Sequence, residues 1–398
     1  MAAVGSQSSS ASGALATVRP YQVLAVSGLA TIVLLGSTYA ALGGTSSYNL
    51  FFSDPLRFPS SAGASQPSTL FADRRNLLNA VFVKKIWAWT TAAFVAQAVV
   101  LRRPWSRLLQ RASGTDQPGP NDPLVRSILR FIIATVAWVF FTSWFLGPSL
   151  ADRTFLLTGG ECRLEVGSSS IRVPSEICRA RTKVSFDSHP QLFQVEGFSL
   201  GEHDVSTLKN LSPRFRGGID MSGHTFLLTL AFMLLLEEIV PFVPYLFLRL
   251  PATVRPSKAQ IEWLIPRAQW ASFDPFNAPS SSRSAPASSS SSTISSTNST
   301  ANGYGGGAAA AAGAGQAGTT FLDWLSRPHV QAQLTAGAVL MHMALSVWML
   351  IMTQLFFHTW TEKLAGLVIG VVSWVALPKD LAPLRSQTAA AAAAAKVR

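Results

Sequence analysis

The chain has 398 residues, of which 48% are hydrophobic and only 13% charged. A soluble domain carries about 25% charged residues, so this composition argues against a string of globular domains and for a polytopic membrane protein. Lys and Arg outnumber Asp and Glu by 32 to 20, a net charge of +12, yet no basic stretch interleaved with aromatics and no nucleic-acid motif accompanies the excess. Nucleic acid is therefore not an expected partner, and the positive charge is assigned to the cytoplasmic flank of a membrane.

Residues 1–20 form an Ala/Ser/Gly-rich tail without periodicity, expected to be disordered and cytoplasmic, and without the basic start of a secretory signal. Tyr21 to Leu42 is uncharged and long enough to be the first span. A polar loop, Gly43 to Asn79, carries an apolar patch at Leu50-Phe51-Phe52. Ala80 to Leu101 is the second span, with Trp87 and Trp89 at interface depth and Lys84 and Lys85 near its start. The lysines either snorkel to the headgroups or meet a phosphate.

Arg102, Arg103, Arg107 and Arg111 follow, and Arg126 and Arg130 lead into the third span, Phe131 to Leu150. This short basic loop is the clearest positive-inside signal, so it is expected in the cytoplasm. Span parity then puts the mixed loop 151–220, with strand-like stretches at Ile171-Arg172-Val173 and Val184-Ser185-Phe186, in the lumen. The two cysteines of the chain, Cys162 and Cys178, both fall in that loop, where an oxidising lumen would allow a disulfide.

Met221 to Leu248 is the fourth span, interrupted by Glu237-Glu238. At about 1.5 Å per residue, Glu237 stands roughly 20 Å along the helix from His224, so the acidic pair belongs to the cytoplasmic half, paired with a neighbour or reaching water. Residues 249–329 are expected to be cytoplasmic, with Lys258 to Trp270 on the membrane surface and a Ser-, Gly- and Ala-rich tether from about 280 that cannot bury a core. Val330 to Phe357 is the fifth span and Leu364 to Leu377, preceded by a polar turn, the sixth. The last run is short, and a helix begun in the turn lengthens it; Gly366 and Gly370 have the small-xxx-small spacing of a close helix crossing. An Ala-rich cytoplasmic tail occupies 379–398. The expected fold is thus all-α and polytopic, with six transmembrane helices, a mixed lumenal loop and disordered tails.

Parity brings His224, at the start of the fourth span, and His358, at the end of the fifth, to one lumenal face. His358 and Glu362 are four apart and share a helix face, so the carboxylate can fix one imidazole nitrogen and leave the other as a nucleophile. His224 can then protonate a leaving oxygen. A helix beginning at Ser222 or Gly223 also directs N–H groups at an anion. Such a pair suits phosphoryl transfer without a metal or other cofactor, and neither CxxC nor HExxH is present. Cationic partners for the phosphates are sought among Lys84, Lys209, Arg214, Arg216 and Lys363. His203 reads as a loop residue and His342 as a packed helix residue.

Two resemblances sharpen this reading. Asp220-Met221-Ser222-Gly223-His224 resembles the PSGH motif of lipid phosphate phosphatases, and His358-x-x-x-Glu362 their H-x-x-x-D motif. Their K-x6-R-P motif is absent and no Ser-Arg pair precedes His358, which leaves the phosphate clamp unassigned. The fat storage-inducing transmembrane family is much more similar. Its likeness covers Asn79-x-x-Phe82-Val83-Lys84-x-x-Trp87-x-Trp89-Thr90, Gly217 to Leu228, and Phe357-His358-Thr359-x-x-Glu362-Lys363-x-x-Gly366, in that order.

The resemblance implies a multi-pass protein of the endoplasmic reticulum with both termini cytoplasmic and the site in the lumen. It implies hydrolysis of fatty acyl-CoA at its diphosphate to acyl 4′-phosphopantetheine and adenosine 3′,5′-bisphosphate, in support of lipid-droplet formation, with His224 and His358 as the catalytic pair. Membrane lipids, diacylglycerol and triacylglycerol, are the other partners it implies. A non-enzymatic protein that binds those lipids, or a lipid phosphate phosphatase, are the alternatives.

Overall fold

A computed structural model describes residues 19–42, 76–114, 117–119, 122–142, 149–166, 169–180, 182–194, 211–218, 221–277 and 321–379. The expected N-terminal tail, the Leu50-Phe51-Phe52 patch, His203, Lys209, Asp220, the low-complexity tether and nearly all of the Ala-rich tail lie outside the described residues.

The chain is mostly helical. Helix α1 (Pro20–Leu42) is followed by a helical rod of uneven pitch, with a π turn at Leu78–Phe82, a 3-10 turn at Val83–Lys85, α2 (Ile86–Gln97), a second π turn at Ala98–Arg102 and α3 (Arg103–Ser113). α4 (Pro123–Thr142) and the short α5 (Leu150–Leu157) lead into strands β1 (Glu161–Val166) and β2 (Ser169–Arg172), then α6 (Ser175–Ala180) and β3 (Arg214–Arg216). α7 (Gly223–Ile239) continues through a 3-10 turn into α8 (Val243–Leu248), and α9 (Lys258–Leu264), α10 (Phe321–Leu325), α11 (Pro328–Phe356) and α12 (Trp360–Val375) complete the order.

Among the described residues four helices are long and apolar enough to cross a bilayer, Pro20–Leu42, Pro123–Thr142, Gly223–Leu248 and Pro328–Phe356. The chain is therefore a polytopic helical membrane protein. The expected second and sixth spans exist as helices but are not among these four. The second is broken by the π and 3-10 turns, and the sixth begins in the polar turn, at Trp360, and ends at Val375. The third span starts earlier than Phe131. Pro123 supplies a preset first helical residue, and the Asp122 carboxylate accepts from Leu124 N–H at 2.8 Å, so the helix nucleates there and takes in Arg126 and Arg130.

α7 is the hub. Of the most apolar stretch of Gly223–Leu248, 78% is buried, against 17% for α1, so α7 lies inside the bundle and α1 on its rim. Phe226, Leu230, Met233 and Leu234 form the centre of the core. Gly366 and Gly370 of α12 admit the backbone of α7: a Cβ on Gly366 would stand 2.5 Å from the Ser222 carbonyl, and one on Gly370 2.9 Å from Thr229 Cβ.

The acidic pair is satisfied by neighbours. Glu238, fully buried, is paired with Arg102 at 3.0 Å and Arg130 at 2.6 Å, and Ser127 donates to it at 2.6 Å. Glu237 accepts from Tyr21 at 2.9 Å, Gln22 at 2.7 Å and Trp374 at 3.1 Å, with Lys379 at 3.5 Å. In an apolar interior an isolated carboxylate costs several kcal/mol, roughly, and these partners offset that cost while tying α1, α4 and α12 to α7. At the same end Ile265, with Leu264 and Trp270, packs against Tyr21 and Val240.

The segment between α5 and α7 is a small separate unit. Its sheet has the order β2-β1-β3, antiparallel throughout. Val184 forms an isolated bridge with Leu211. A disulfide joins Cys162 on β1 to Cys178 on α6 across a Cα separation of 6.0 Å. Leu164, Val166, Ile171, Val173, Val184 and Phe193 fill the space beneath it. After β3, Gly217 and Gly218 take φ of 72° and 61°, and a Cβ on Gly218 would meet the Phe155 carbonyl at 2.6 Å. Glycine is required there for the chain to pass under α5 before it reaches Ser222.

Candidate active site

The site forms where three helix ends meet. Ser222 is the N-cap of α7: its hydroxyl accepts from Thr225 N–H at 3.2 Å and lies 2.9 Å from the Thr225 hydroxyl. Gly223 and His224 are thus the first two helical residues. His224 therefore sits in the first turn, at the positive end of the helix dipole, an environment that favours an anion.

α11 ends at Phe356, and the chain turns sharply to start α12 at Trp360. His358 occupies that turn with φ 61°, the one non-glycine with positive φ among the described residues. Such a conformation costs about 1–3 kcal/mol and persists where its surroundings hold it. Glu362 is one of the groups that hold it. Its carboxylate closes a capping box by accepting from Thr359 N–H at 2.7 Å, and the same oxygen lies 3.5 Å from His358 Nδ1.

The two histidines then face one another, with ring centroids 6.2 Å apart and planes inclined by 63°. Backbone joins the halves: Ser222 N–H donates to the Glu362 carbonyl at 3.1 Å. One residue, Glu362, therefore touches His358 through its carboxylate and the cap of the His224 helix through its carbonyl. His358 and Glu362 keep 24% and 17% of their side-chain surface open, enough for a ligand to reach them from outside the bundle.

Chemically the pair can place a single phosphoryl group between two imidazoles, each within about 3 Å of a reacting atom. The Glu362 carboxylate beside Nδ1 leaves Nε2 of His358 as the free nitrogen. Among the described residues no group of three or more His, Cys, Asp and Glu side chains converges as a metal site would require.

The other expected site residues are dispersed. Lys84 is exposed in the 3-10 turn before α2, and Arg214 is exposed on β3 opposite Arg163. Arg216, also on β3, stands opposite Glu161 of β1 in the backbone register, and its side chain is outside the described part. Lys363 points inward, 1% exposed, and its ammonium donates to the Gln354 carbonyl at 2.6 Å. His342 is buried within α11, where it lies 3.2 Å from the Thr90 hydroxyl and edge-on to Phe82.

Sequence reasoning missed Thr225 and Gln354. The Gln354 amide donates to the Thr225 hydroxyl at 3.2 Å, linking α11 to the first turn of α7 beneath the histidines. An amide late in an otherwise apolar span, four residues before a histidine, was the available signal.

The model of the family described as fat storage-inducing transmembrane protein matches residues 67–377. The acyl-coenzyme A diphosphatase fit1 of Schizosaccharomyces pombe is 32% identical over 176 residues, 44% of this chain and 52% of that protein. The acyl-coenzyme A diphosphatase SCS3 of Saccharomyces cerevisiae is 37% identical over 107 residues, 26% of this chain and 25% of that protein. The matches thus span about half of one relative and a quarter of the other. No solved structure matches the chain.

Proposed function

This chain belongs to the fat storage-inducing transmembrane family, and on that footing we propose that it hydrolyses the diphosphate of fatty acyl-CoA. The products are acyl 4′-phosphopantetheine and adenosine 3′,5′-bisphosphate. The observation that carries the reading is the approach of His224 and His358 to a centroid separation of 6.2 Å, with Glu362 at His358 Nδ1. The names of the two yeast relatives support the substrate class.

His358 Nε2 attacks one phosphorus of the diphosphate. The bond from that phosphorus to the bridging oxygen breaks, and the electron pair leaves on the oxygen, which takes a proton from His224. Water, deprotonated by the now basic His224, then attacks the phosphohistidine and releases the second product with His358 restored. Glu362 stabilises the positive charge that His358 acquires. The start of α7, following Ser222 and Gly223, supplies N–H groups that balance the phosphate charge.

The wider setting is proposed with it: six spans in the endoplasmic reticulum membrane, both termini cytoplasmic, the histidines at the lumenal face, and a role in lipid-droplet formation. The acyl chain lies among the apolar helices while the diphosphate meets the rim. The basic residues 102–111 and the Arg102–Glu238–Arg130 cluster, at the end of α7 away from His224, support that orientation.

Purified protein with His224→Ala or His358→Ala should lose acyl-CoA cleavage, measured by mass spectrometry of the phosphopantetheine product. Full activity in either variant would defeat the assignment. Free phosphate from phosphatidate would point to a lipid phosphatase, and lipid partitioning without hydrolysis to a diacylglycerol or triacylglycerol binder. Glycan on Asn298, in the sequon Asn298-Ser299-Thr300, would invert the topology.

A further inference from the structure

His358 leaves the helix at a cost that one side chain is placed to offset. In an unbroken α-helix the carbonyl of Gln354 would accept from the N–H four residues later, which is that of His358. Phe357 N–H still completes the regular pattern, donating to Thr353 O at 3.1 Å. At His358 the backbone swings to φ 61°. The Gln354 carbonyl instead receives the Lys363 ammonium at 2.6 Å. That carbonyl sits at the negative end of the α11 dipole, where a cation is favoured, and a charge-assisted hydrogen bond is stronger than the neutral backbone hydrogen bond it replaces.

We propose that Lys363 is a positioning residue: its ammonium takes the place of the His358 amide at the end of α11, and so holds His358 in the left-handed turn that aims its ring at His224. The side chain is 1% exposed and lies on the inner side of the first turn of α12, directly after Glu362. Gln354 extends the brace, since its amide donates to Thr225 one residue beyond His224. Lys363, Glu362 and Gln354 thereby fix the two histidines to three helix ends at once. Lys363 works from behind the site and does not touch the phosphates.

The proposal rests on the acyl-CoA hydrolase reading, and the test separates the two. Lys363→Met removes the donor while keeping the length and apolar stem, and Lys363→Gln keeps a neutral N–H donor. With full-length protein in detergent or nanodiscs, Lys363→Met should lower kcat by about tenfold to a hundredfold, with KM for acyl-CoA and inhibition by adenosine 3′,5′-bisphosphate within about twofold of wild type. Lys363→Gln should fall between the two. A KM and an inhibition constant that rise together in either variant, with kcat unchanged, would make Lys363 a phosphate ligand and overturn the proposal. So would wild-type kcat in Lys363→Met, or failure of both variants to fold, which would make Lys363 a residue of general stability. If wild type does not cleave acyl-CoA, or His358→Ala does, the parent reading fails first, and the proposal with it.

Discussion

Gly366→Ala tests the contact on which the candidate site depends. A methyl group at this position would stand 2.5 Å from the Ser222 carbonyl oxygen and 3.1 Å from Thr225 Cβ. The carbonyl belongs to the cap of α7 and cannot swing aside as a flexible side chain would. An ordinary contact begins at 3.4 Å, so α12 must withdraw by about 0.9 Å. That movement lengthens the Ser222 N–H to Glu362 carbonyl bond, now 3.1 Å, to roughly 4 Å and breaks it. Because α12 carries Glu362 and follows His358 directly, the histidine pair opens by a similar amount. A misplacement of about 1 Å lowers a well-oriented reaction on the order of a hundredfold, or about 2.7 kcal/mol in the barrier. The assay is the initial rate of acyl-CoA cleavage by purified protein, followed by mass spectrometry of the phosphopantetheine product. Gly28→Ala is the control, since a Cβ there meets nothing within 4 Å, and it should keep full activity. A folded Gly366→Ala protein cleaving within twofold of wild type would refute the reasoning, because the histidines would then tolerate the separation of their two helices.

Other outcomes follow from the same contacts. Glu238→Ala leaves Arg102 and Arg130 buried without their carboxylate, and should destabilise the folded protein by about 3–5 kcal/mol; a thermal midpoint in detergent within about 2 °C of wild type would contradict this. Glu362→Gln keeps an acceptor for Thr359 N–H but removes the charge beside His358 Nδ1, so kcat should fall by about a hundredfold while the melting temperature stays near wild type. Cys162→Ser opens a loop closed across a sequence separation of 16 and should destabilise the small unit between α5 and α7 by about 3 kcal/mol, read as faster proteolysis between residues 161 and 216 with the helices intact. With an acid and a base both required, wild-type kcat/KM should be bell-shaped in pH, and a flat profile would remove the histidines from the rate-limiting chemistry.

Much of the bundle is legible because a bilayer leaves a chain few choices. Uncharged runs such as Tyr21–Leu42 and the stretch before His358 must become helices, since no other open structure satisfies their backbone in hydrocarbon. Boundaries are less legible where polar residues enter the span. The third expected span begins at Pro123 because Asp122 caps it, so the helix includes Arg126 and Arg130 and buries Arg130, both of which the sequence reads as lying before the span. An arginine in a membrane helix reads as a boundary until its partner is known, and the partner of Arg130, Glu238, lies in another helix.

The site divides the same way. The residue types and the four-residue spacing of His358 and Glu362 are local, so the sequence alone names them as chemistry. Lys363 looked like one more cation for the phosphates, and only the packed helices turn it inward onto Gln354. The cap–carbonyl bond from Ser222 to Glu362 and the 6.2 Å gap between the rings could not be read from spacing, because both depend on how closely two helices far apart in the chain approach. The sequence determined four helices long and apolar enough to cross a membrane, and which side chains can move a proton or bind phosphorus, since those properties belong to single residues and short periods. Tertiary structure decided which of those groups meet and which are spent holding the others in place, since contact is set by packing at glycine-lined crossings and by charges that must find partners away from water.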